Sequence, residues 1–382
     1  MITKKGMTGM KILFAGGGTA GHINPAIAVA NYIKTKEANS EFLFVGTKEG
    51  METTLVPKQG YDIRFIRIHG FKRKLSLSNA KVAAEILTGT WKAAKIIKEF
   101  KPDAVIGTGG YVTGPVLLAA ALLKIPTLVH EANAFPGVTI RMLAPVVDVV
   151  ALALEDAAKF LKKDIRIEVT GNPVRPSILE GSKEQARKEL GLDNRRTVLV
   201  FGGSLGAEKI NESAVDWISS IASSRRYQII MSTGKNNHYH EVVKRFEKNN
   251  VNLADYPEIR ILEYIYDMDL CLNAADLIIA RSGGSVSEMT ALGKAAILIP
   301  SPYVAGNHQE HNARAVERSG GAVVITEENL TAEALGKTAE SILDSDTVLR
   351  SMSEASKSIG ITDATHKIYK IISELIEKNK KR

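Results

Sequence analysis

The segment Lys11–Ala30, KILFAGGGTAGHINPAIAVA, decides the fold. Ile12–Ala15 is a short apolar run that stops at glycine, the pattern of a buried strand. Gly16-Gly17-Gly18-Thr19-Ala20-Gly21 follows as a glycine-rich turn. His22, Asn24 and Pro25 then open an apolar helix, with the proline placed in its first turn. A strand–loop–helix unit of this kind aims backbone N–H groups and a positive helix end at one point. Its natural guest is an anion, such as a diphosphate.

Gly16, Gly18 and Gly21 also fit the dinucleotide spacing G-x-G-x-x-G. That reading needs an acidic residue at the end of the next strand to hold a ribose. The next strand, Glu41–Val45, runs into Gly46-Thr47-Lys48 with no carboxylate, which argues against a nicotinamide cofactor. Glycines serving only tight strand-to-helix packing are the plainer alternative. His22 tips the balance toward function, because it lies at the mouth of the loop and imidazole as a class exchanges protons near neutral pH.

Working outward, apolar strands alternate with helical stretches along the whole chain. Ile12–Ala15, Phe42–Val45, Ile63–Ile66, Ala104–Ile106, Thr127–Val129 and Val147–Ala151 are predicted strands of the first half. Val198–Phe201, Gln228–Met231, Ile259–Leu262, Leu277–Ala280, Ala296–Ile299 and Ala322–Ile325 repeat the rhythm in the second. This is the α/β class, with βαβ units and parallel sheets. KILFAGGGTAGHI is echoed by TVLVFGGSLGAEKI at Thr197–Ile210, so each half opens as its own doubly wound, Rossmann-like domain. Gly171–Gly181, rich in Gly and Pro, is the predicted hinge. Asp363–Ile376 reads as a final amphipathic helix followed by a charged tail, Glu377–Arg382; it could pack back on the first domain.

The chain has 382 residues, 45% hydrophobic and 24% charged, within the range of globular proteins. A single cysteine, Cys271, excludes an internal disulfide and suits the cytoplasm. Met1–Met10 lacks the apolar core of a signal peptide. No run reaches the about 20 apolar residues of a membrane span. The net charge of +8 points to phosphates or an anionic membrane surface, because no basic–aromatic nucleic-acid motif accompanies it.

Four glycine turns follow strands, at Gly16–Gly21, Gly107–Gly110, Gly202–Gly206 and Gly283–Gly284. Divided between the halves, they suggest two phosphorylated ligands meeting at the carboxyl ends of the strands, with His22 on one wall and Glu288 on the other. In ARSGGSVSEMTALGKAAILIPSP, Ala280–Pro302, a helix starts near Ser285; Glu288 either closes a capping box with Ser285 or accepts both hydroxyls of a ribose. GNHQEHNA, Gly306–Ala313, offers Asn307, His308, Gln309 and His311 to a sugar; a metal pair at His308 and His311 lacks a third ligand. His130-Glu131-Ala132-Asn133 ends a strand, and Glu131 or Asn133 either touches a sugar or caps its loop. Phe71–Leu77, FKRKLSL, and the helix Ala80–Phe100 with Leu87 and Trp91 are either a basic loop beside a buried helix face or a membrane-docking patch.

GGGTAGH, GTGGYVTGP, HEANAFPG, GNPVR, GGSLGA, RSGGSVSEMTALGKAAILIPSP and NHQEHNA occur in this order between Lys11 and Ala313. In them the chain resembles the MurG family of GT-B glycosyltransferases, in glycosyltransferase family 28. The resemblance implies two Rossmann-like domains: residues 1–172 for the acceptor and the membrane, residues 173–360 for the nucleotide sugar, with 361–382 as the returning helix. It implies inverting transfer of GlcNAc from UDP-GlcNAc to the C4 hydroxyl of MurNAc in undecaprenyl-pyrophosphoryl-MurNAc-pentapeptide (lipid I), giving lipid II. The enzyme would sit peripherally on the cytoplasmic side of the bacterial membrane, with no nucleic-acid partner.

By the same resemblance, Thr19, Ala20, Gly21 and Asn133 touch the donor sugar, and Arg175 and Ser204 meet the donor, Ser204 at its phosphate. Ile265 in EYIYDM offers its backbone to uracil, Glu288 holds the ribose and Gln309 reads the GlcNAc hydroxyls. His22 is the general base, and Gly109, Gly110 and Tyr111 cradle the acceptor diphosphate. No cofactor or metal is implied: backbone dipoles at Gly202–Gly206 and Ser285–Glu288 are to meet the charge of the leaving UDP. Three departures stand out, one being that the loop around RSGGSVSE is a residue shorter than in some relatives, so that only Glu288 carries over there. Ala20 replaces a glycine of the usual GGTGGH and narrows the space beside the sugar, and His308 stands where some members carry a second glutamine. Other GT-B readings are a lipid or antibiotic glycosyltransferase, a UDP-GlcNAc 2-epimerase, or a non-catalytic nucleotide-sugar binder.

Overall fold

A computed structural model describes residues 9–69, 77–162, 164–235 and 238–381, with the backbone alone over 77–83. The chain divides into two compact units: Met1–Val174 together with Asp363–Arg382, and Arg175–Thr362.

In the first unit the strands are β1 (Lys11–Gly16), β2 (Glu41–Gly46), β3 (Asp62–Phe65), β4 (Ala104–Gly109), β5 (Thr127–Glu131), β6 (Val149–Leu152) and β7 (Ile167–Val169). They form one parallel sheet in the order β3-β2-β1-β4-β5-β6-β7. Strand residues alternate between faces. Ile12 and Phe14 enter one core with Phe44, Ile106 and Leu128, while Leu13 and Ala15 enter the opposite one with Val45, Val105 and Val129. Both faces are therefore covered, as a parallel sheet requires.

The helix Ala20–Lys36 covers the first face, and the helix Ala364–Lys380 covers it alongside. Ile368, Ile372 and Leu375 of that last helix belong to the core of the first unit. Tyr369 donates to Glu37 at 3.1 Å, and the Tyr32 hydroxyl meets His366 Nδ1 at 3.0 Å. The residues Glu377–Lys380, read from the sequence as tail, continue the helix.

The second unit holds β8 (Arg196–Phe201), β9 (Tyr227–Ser232), β10 (Ile259–Leu262), β11 (Leu277–Ala280), β12 (Ala295–Leu298) and β13 (Ala322–Val324). They are parallel in the order β10-β9-β8-β11-β12-β13. Each predicted strand is present: Ile259–Leu262 and Leu277–Ala280 have the expected bounds, and the others have ends shifted by one to three residues. β7 is the addition: three half-exposed residues at a sheet edge carry too little apolar signal to announce a strand.

Each sheet reverses its winding once, at β1/β4 in the first unit and at β8/β11 in the second. A crevice opens outside the carboxyl ends of the strands at such a switch point. The four glycine turns follow these four strands.

Candidate functional site

In the first unit the helix after β1 starts at Ala20, earlier than the sequence suggests, with Thr19 as its N-cap residue. Pro25 therefore lies inside the helix, not in its first turn; having no N–H, it leaves the Gly21 carbonyl without its usual helical donor. The early start places His22 in the first turn. Helical side chains lean toward the N-terminus, so the imidazole folds back over its own glycine loop. Its Nδ1 lies 3.0 Å from the Gly17 carbonyl oxygen. A carbonyl only accepts, so Nδ1 carries the proton and Nε2 keeps its lone pair.

The β4 turn completes the seat. Gly17 N–H donates to the Gly109 carbonyl at 3.3 Å, and Thr108 Oγ1 donates to the His22 carbonyl at 2.6 Å. Gly109 has φ +114°, and a Cβ there would stand 2.5 Å from His22 Cδ2 and 3.0 Å from Nε2. Only glycine admits the ring. The predicted residues Thr19, Ala20, Gly21, His22, Gly109 and Gly110 thus come together where the helix start after β1 and the end of β4 are hydrogen-bonded. Tyr111 follows with its side chain 59% exposed, opening the short turn into helix Thr113–Leu122.

Glu52 was not anticipated. The end of β2 carries no carboxylate in sequence, yet one arrives there from the helix Glu52–Lys58. Fully buried, Glu52 accepts from Gly18 N–H at 2.9 Å and from the Thr47 N–H and Oγ1 at 2.8 Å each. The glycine loop is therefore tied to the neighbouring strand through this carboxylate. The only sequence signal is an acidic residue opening the short helix after the second strand.

At the end of β5, Glu131 settles its two alternatives. Its oxygens accept from Asn133 N–H at 2.9 Å, Asn133 Nδ2 at 3.0 Å and Gly137 N–H at 2.8 Å, so it caps its loop rather than offering itself to a sugar. Asn133 is held by these bonds. His130 is a core residue: Nε2 donates to the Gly171 carbonyl at 3.0 Å. Burial drives its pKa down to about 4, against the pull of that carbonyl, so the ring is neutral.

In the second unit Arg175 and Glu288 meet. The guanidinium Nη2 stands 3.5 Å from Glu288 Oε1. Burial raises the Glu288 carboxyl above the usual glutamate range, and Arg175 opposes that rise. Of the two alternatives for Glu288 the capping box is absent: the helix Ser285–Ala291 has Gly284 at its N-cap with no side-chain bond, which leaves Glu288 to its arginine.

Gln309 lies in the first turn of the helix His308–Ser319. Its Oε1 accepts from Ser301 N–H at 2.9 Å, and its carbonyl accepts from the buried Ser282 Oγ at 2.7 Å, which joins NHQEHNA to RSGG. Ser204 is exposed on the β8 turn, and the Ile265 side chain is buried, which anchors its backbone after β10. The His308 ring turns to the Ala305 carbonyl at 2.9 Å, and among the described residues no group of three or more His, Cys, Asp or Glu could hold a metal.

Two protein-family models match this chain: the glycosyltransferase family 28 N-terminal domain over residues 12–152 and its C-terminal domain over residues 197–375. The chain belongs to glycosyltransferase family 28. A protein of Acetivibrio thermocellus named UDP-N-acetylglucosamine–N-acetylmuramyl-(pentapeptide) pyrophosphoryl-undecaprenol N-acetylglucosamine transferase is 48% identical, over 97% of this chain and 99% of its own length. The protein of the same name from Caldanaerobacter subterraneus subsp. tengcongensis is 46% identical over 96% of this chain and all of its own. Among solved structures, Acinetobacter baumannii MurG superposes with TM-score 0.78 at 29% identity, covering 96% of this chain and 99% of that one. A putative UDP-N-acetylglucosamine 2-epimerase from Listeria monocytogenes, at TM-score 0.69 and 17% identity, shares the fold. The GT-B architecture is thus that of this family.

Gly109→Ala tests the seat of His22. The added methyl displaces the ring, and glycosyl transfer is expected to fall at least about 100-fold, the usual cost of moving a reacting group by an ångström. Retention of full transfer activity in this variant would contradict the geometry.

Proposed function

We infer that this chain is the inverting N-acetylglucosaminyltransferase that moves GlcNAc from UDP-GlcNAc to the C4 hydroxyl of MurNAc in lipid I, producing lipid II for peptidoglycan. The observation that carries the reading is near-full-length identity of 46–48% to transferases of that name, within a family matched in both domains. The 2-epimerase likeness is one of fold.

The site supports an in-line displacement with the following roles. His22 Nε2 accepts the proton of the acceptor C4 hydroxyl as that oxygen forms its bond to the anomeric carbon of GlcNAc. The bond from that carbon to the diphosphate oxygen breaks, UDP leaves with the electron pair, and the configuration inverts. The Gly17 carbonyl stabilises the imidazolium through Nδ1–H, and the Gly109–Tyr111 turn holds the acceptor diphosphate on the N–H groups of Gly110 and Tyr111, the Gly109 N–H being donated to Thr113 Oγ1 at 3.2 Å. In Arg175–Thr362, Glu288 takes the ribose hydroxyls, Arg175 beside it meets the donor, Ile265 offers its backbone to uracil, and Gln309 meets the GlcNAc hydroxyls. Thr19, Ala20, Gly21 and Asn133 line the donor sugar from the first unit. The charge developing on UDP is met first at the Gly202–Gly206 turn, with Ser204 at the phosphate.

The membrane patch is part of the same proposal. Phe71–Leu77 lies outside the described residues apart from the backbone of Leu77, where the helix Leu77–Phe100 begins. Further along that helix, Leu87 is 73% exposed and Trp91 69%, one turn apart, so this face is not the buried one that the plainer reading required. Leu122 and Met142, on neighbouring helices, are likewise exposed. Among the described residues no helix is long and apolar enough to cross a membrane. An apolar face flanked by Lys92 and Lys95 suits shallow docking on an anionic leaflet.

Two measurements test this reading. His22→Ala is expected to lower kcat/KM for lipid I roughly 100- to 10,000-fold while UDP-GlcNAc affinity holds; turnover within a few-fold of wild type would refute the base assignment. Leu87→Ser with Trp91→Ser is expected to abolish co-sedimentation with anionic vesicles. Undiminished sedimentation of that double variant would remove the docking face.

A further inference from the structure

The cations around the switch point of the second unit are nearly all committed. Arg281, at the end of β11, donates to the Ile299 carbonyl at 3.1 Å and pairs with Glu327. Arg175 is engaged by Glu288. Lys235 is different. It follows β9 in the turn Thr233-Gly234-Lys235, and among the described residues it has no carboxylate within ion-pair distance.

The position of Lys235 is built in. A Cβ on Gly234 would lie 2.1 Å from Gly206 N, and one on Gly206 would lie 2.2 Å from the Thr233 carbonyl oxygen, so the two turns interlock where neither tolerates a side chain. Gly234 N–H donates to the Glu263 carbonyl at 3.0 Å, and Lys235 N–H donates to the Ser204 carbonyl at 3.3 Å. The backbone of Lys235 is thereby fixed against the Gly202–Gly206 turn on one side and beside Tyr264 on the other. Its ammonium rests 5.2 Å from the centre of the Tyr264 ring. The Tyr264 ring stacks edge-on against Tyr266 at 5.0 Å, and Ile265 between them is buried.

A cation over an exposed ring is held weakly, far less than one that donates to a phosphate oxygen. The Tyr264 ring is therefore a resting place from which the ammonium can be drawn. We propose that Lys235 is the cation that grips the diphosphate of the nucleotide donor at the Gly202–Gly206 turn and neutralises it as UDP departs. The assignment rests on the donor reading given above and adds a residue to it. The β8 turn supplies neutral N–H donors, and Lys235 supplies a full positive charge where the leaving group gains a negative one. Tyr264 and Ile265 lie on the base side of the same turn, so the one lysine spans base wall and diphosphate.

The test titrates UDP by calorimetry and uridine by ligand-observed NMR against wild type, Lys235→Ala and Lys235→Arg. The expected result is a roughly ten- to hundred-fold weaker UDP affinity in Lys235→Ala, with uridine unchanged and most of the UDP affinity restored by arginine. The slope of log Kd against log salt for UDP should also flatten in the alanine variant. Equal weakening of UDP and uridine would make Lys235 a support for the base wall and overturn the assignment, as would UDP affinity unaltered by the substitution. Absence of UDP binding by wild type would instead overturn the donor reading itself, and the lysine's role with it.

Discussion

One hydrogen bond organises the glycine loop of the first unit: His22 Nδ1 to the carbonyl of Gly17, at 3.0 Å. It selects the tautomer whose Nε2 keeps its lone pair, and it joins the ring to the glycine loop. The bond exists because the helix begins at Ala20, so the ring leans back over the loop that precedes it. It also needs an empty volume beside the ring, which Gly109 leaves. A buried carboxylate, Glu52, pulls on Gly18 and Thr47 and keeps the loop against β2. These contacts place a proton acceptor next to a row of backbone N–H donors. On the proposed reading, this is a general base beside a place for a diphosphate.

The second unit repeats the plan with another outcome. Its glycine turns again follow the two strands at the switch point, but there a carboxylate and cations take the place of the histidine. Glu288 is kept near Arg175, Gln309 is stitched to the Ser282 hydroxyl and the Ser301 backbone, and Lys235 is fixed against Ser204. A nucleotide sugar needs contacts for hydroxyls and for a diphosphate, and on the proposed reading this unit supplies both. The division of labour follows from side chains on one shared scaffold, with the backbone topology common to both units.

The architecture was legible because buried parallel strands are written as short apolar runs, such as Ile12–Ala15 and Leu277–Ala280, each ending in a turn residue. β7 was not, since an edge strand of three half-exposed residues carries no such run. His22 could be found from its place in the glycine loop. Its tautomer could not, because that depends on which carbonyl the ring reaches. Glu52 escaped notice because its partners come from two other segments, so no local spacing marks it. Ser285 and Glu288 matched a capping box perfectly in spacing, yet tertiary burial beside Arg175 took the carboxylate elsewhere. Glu131 went the opposite way, its oxygens absorbed by the N–H groups of the loop it precedes. Pro25 points to a later helix start than the structure has, since a proline in the second turn removes only the one helical bond to the Gly21 carbonyl.

The most direct test of this account is the protonation pattern of His22 itself. Nitrogen-15 NMR of histidine-labelled protein, with His22→Gln assigning the resonance, distinguishes the two neutral tautomers. The account predicts a protonated Nδ1 and a lone-pair Nε2 at the high-pH plateau. A His22 ring protonated on Nε2 there would contradict it.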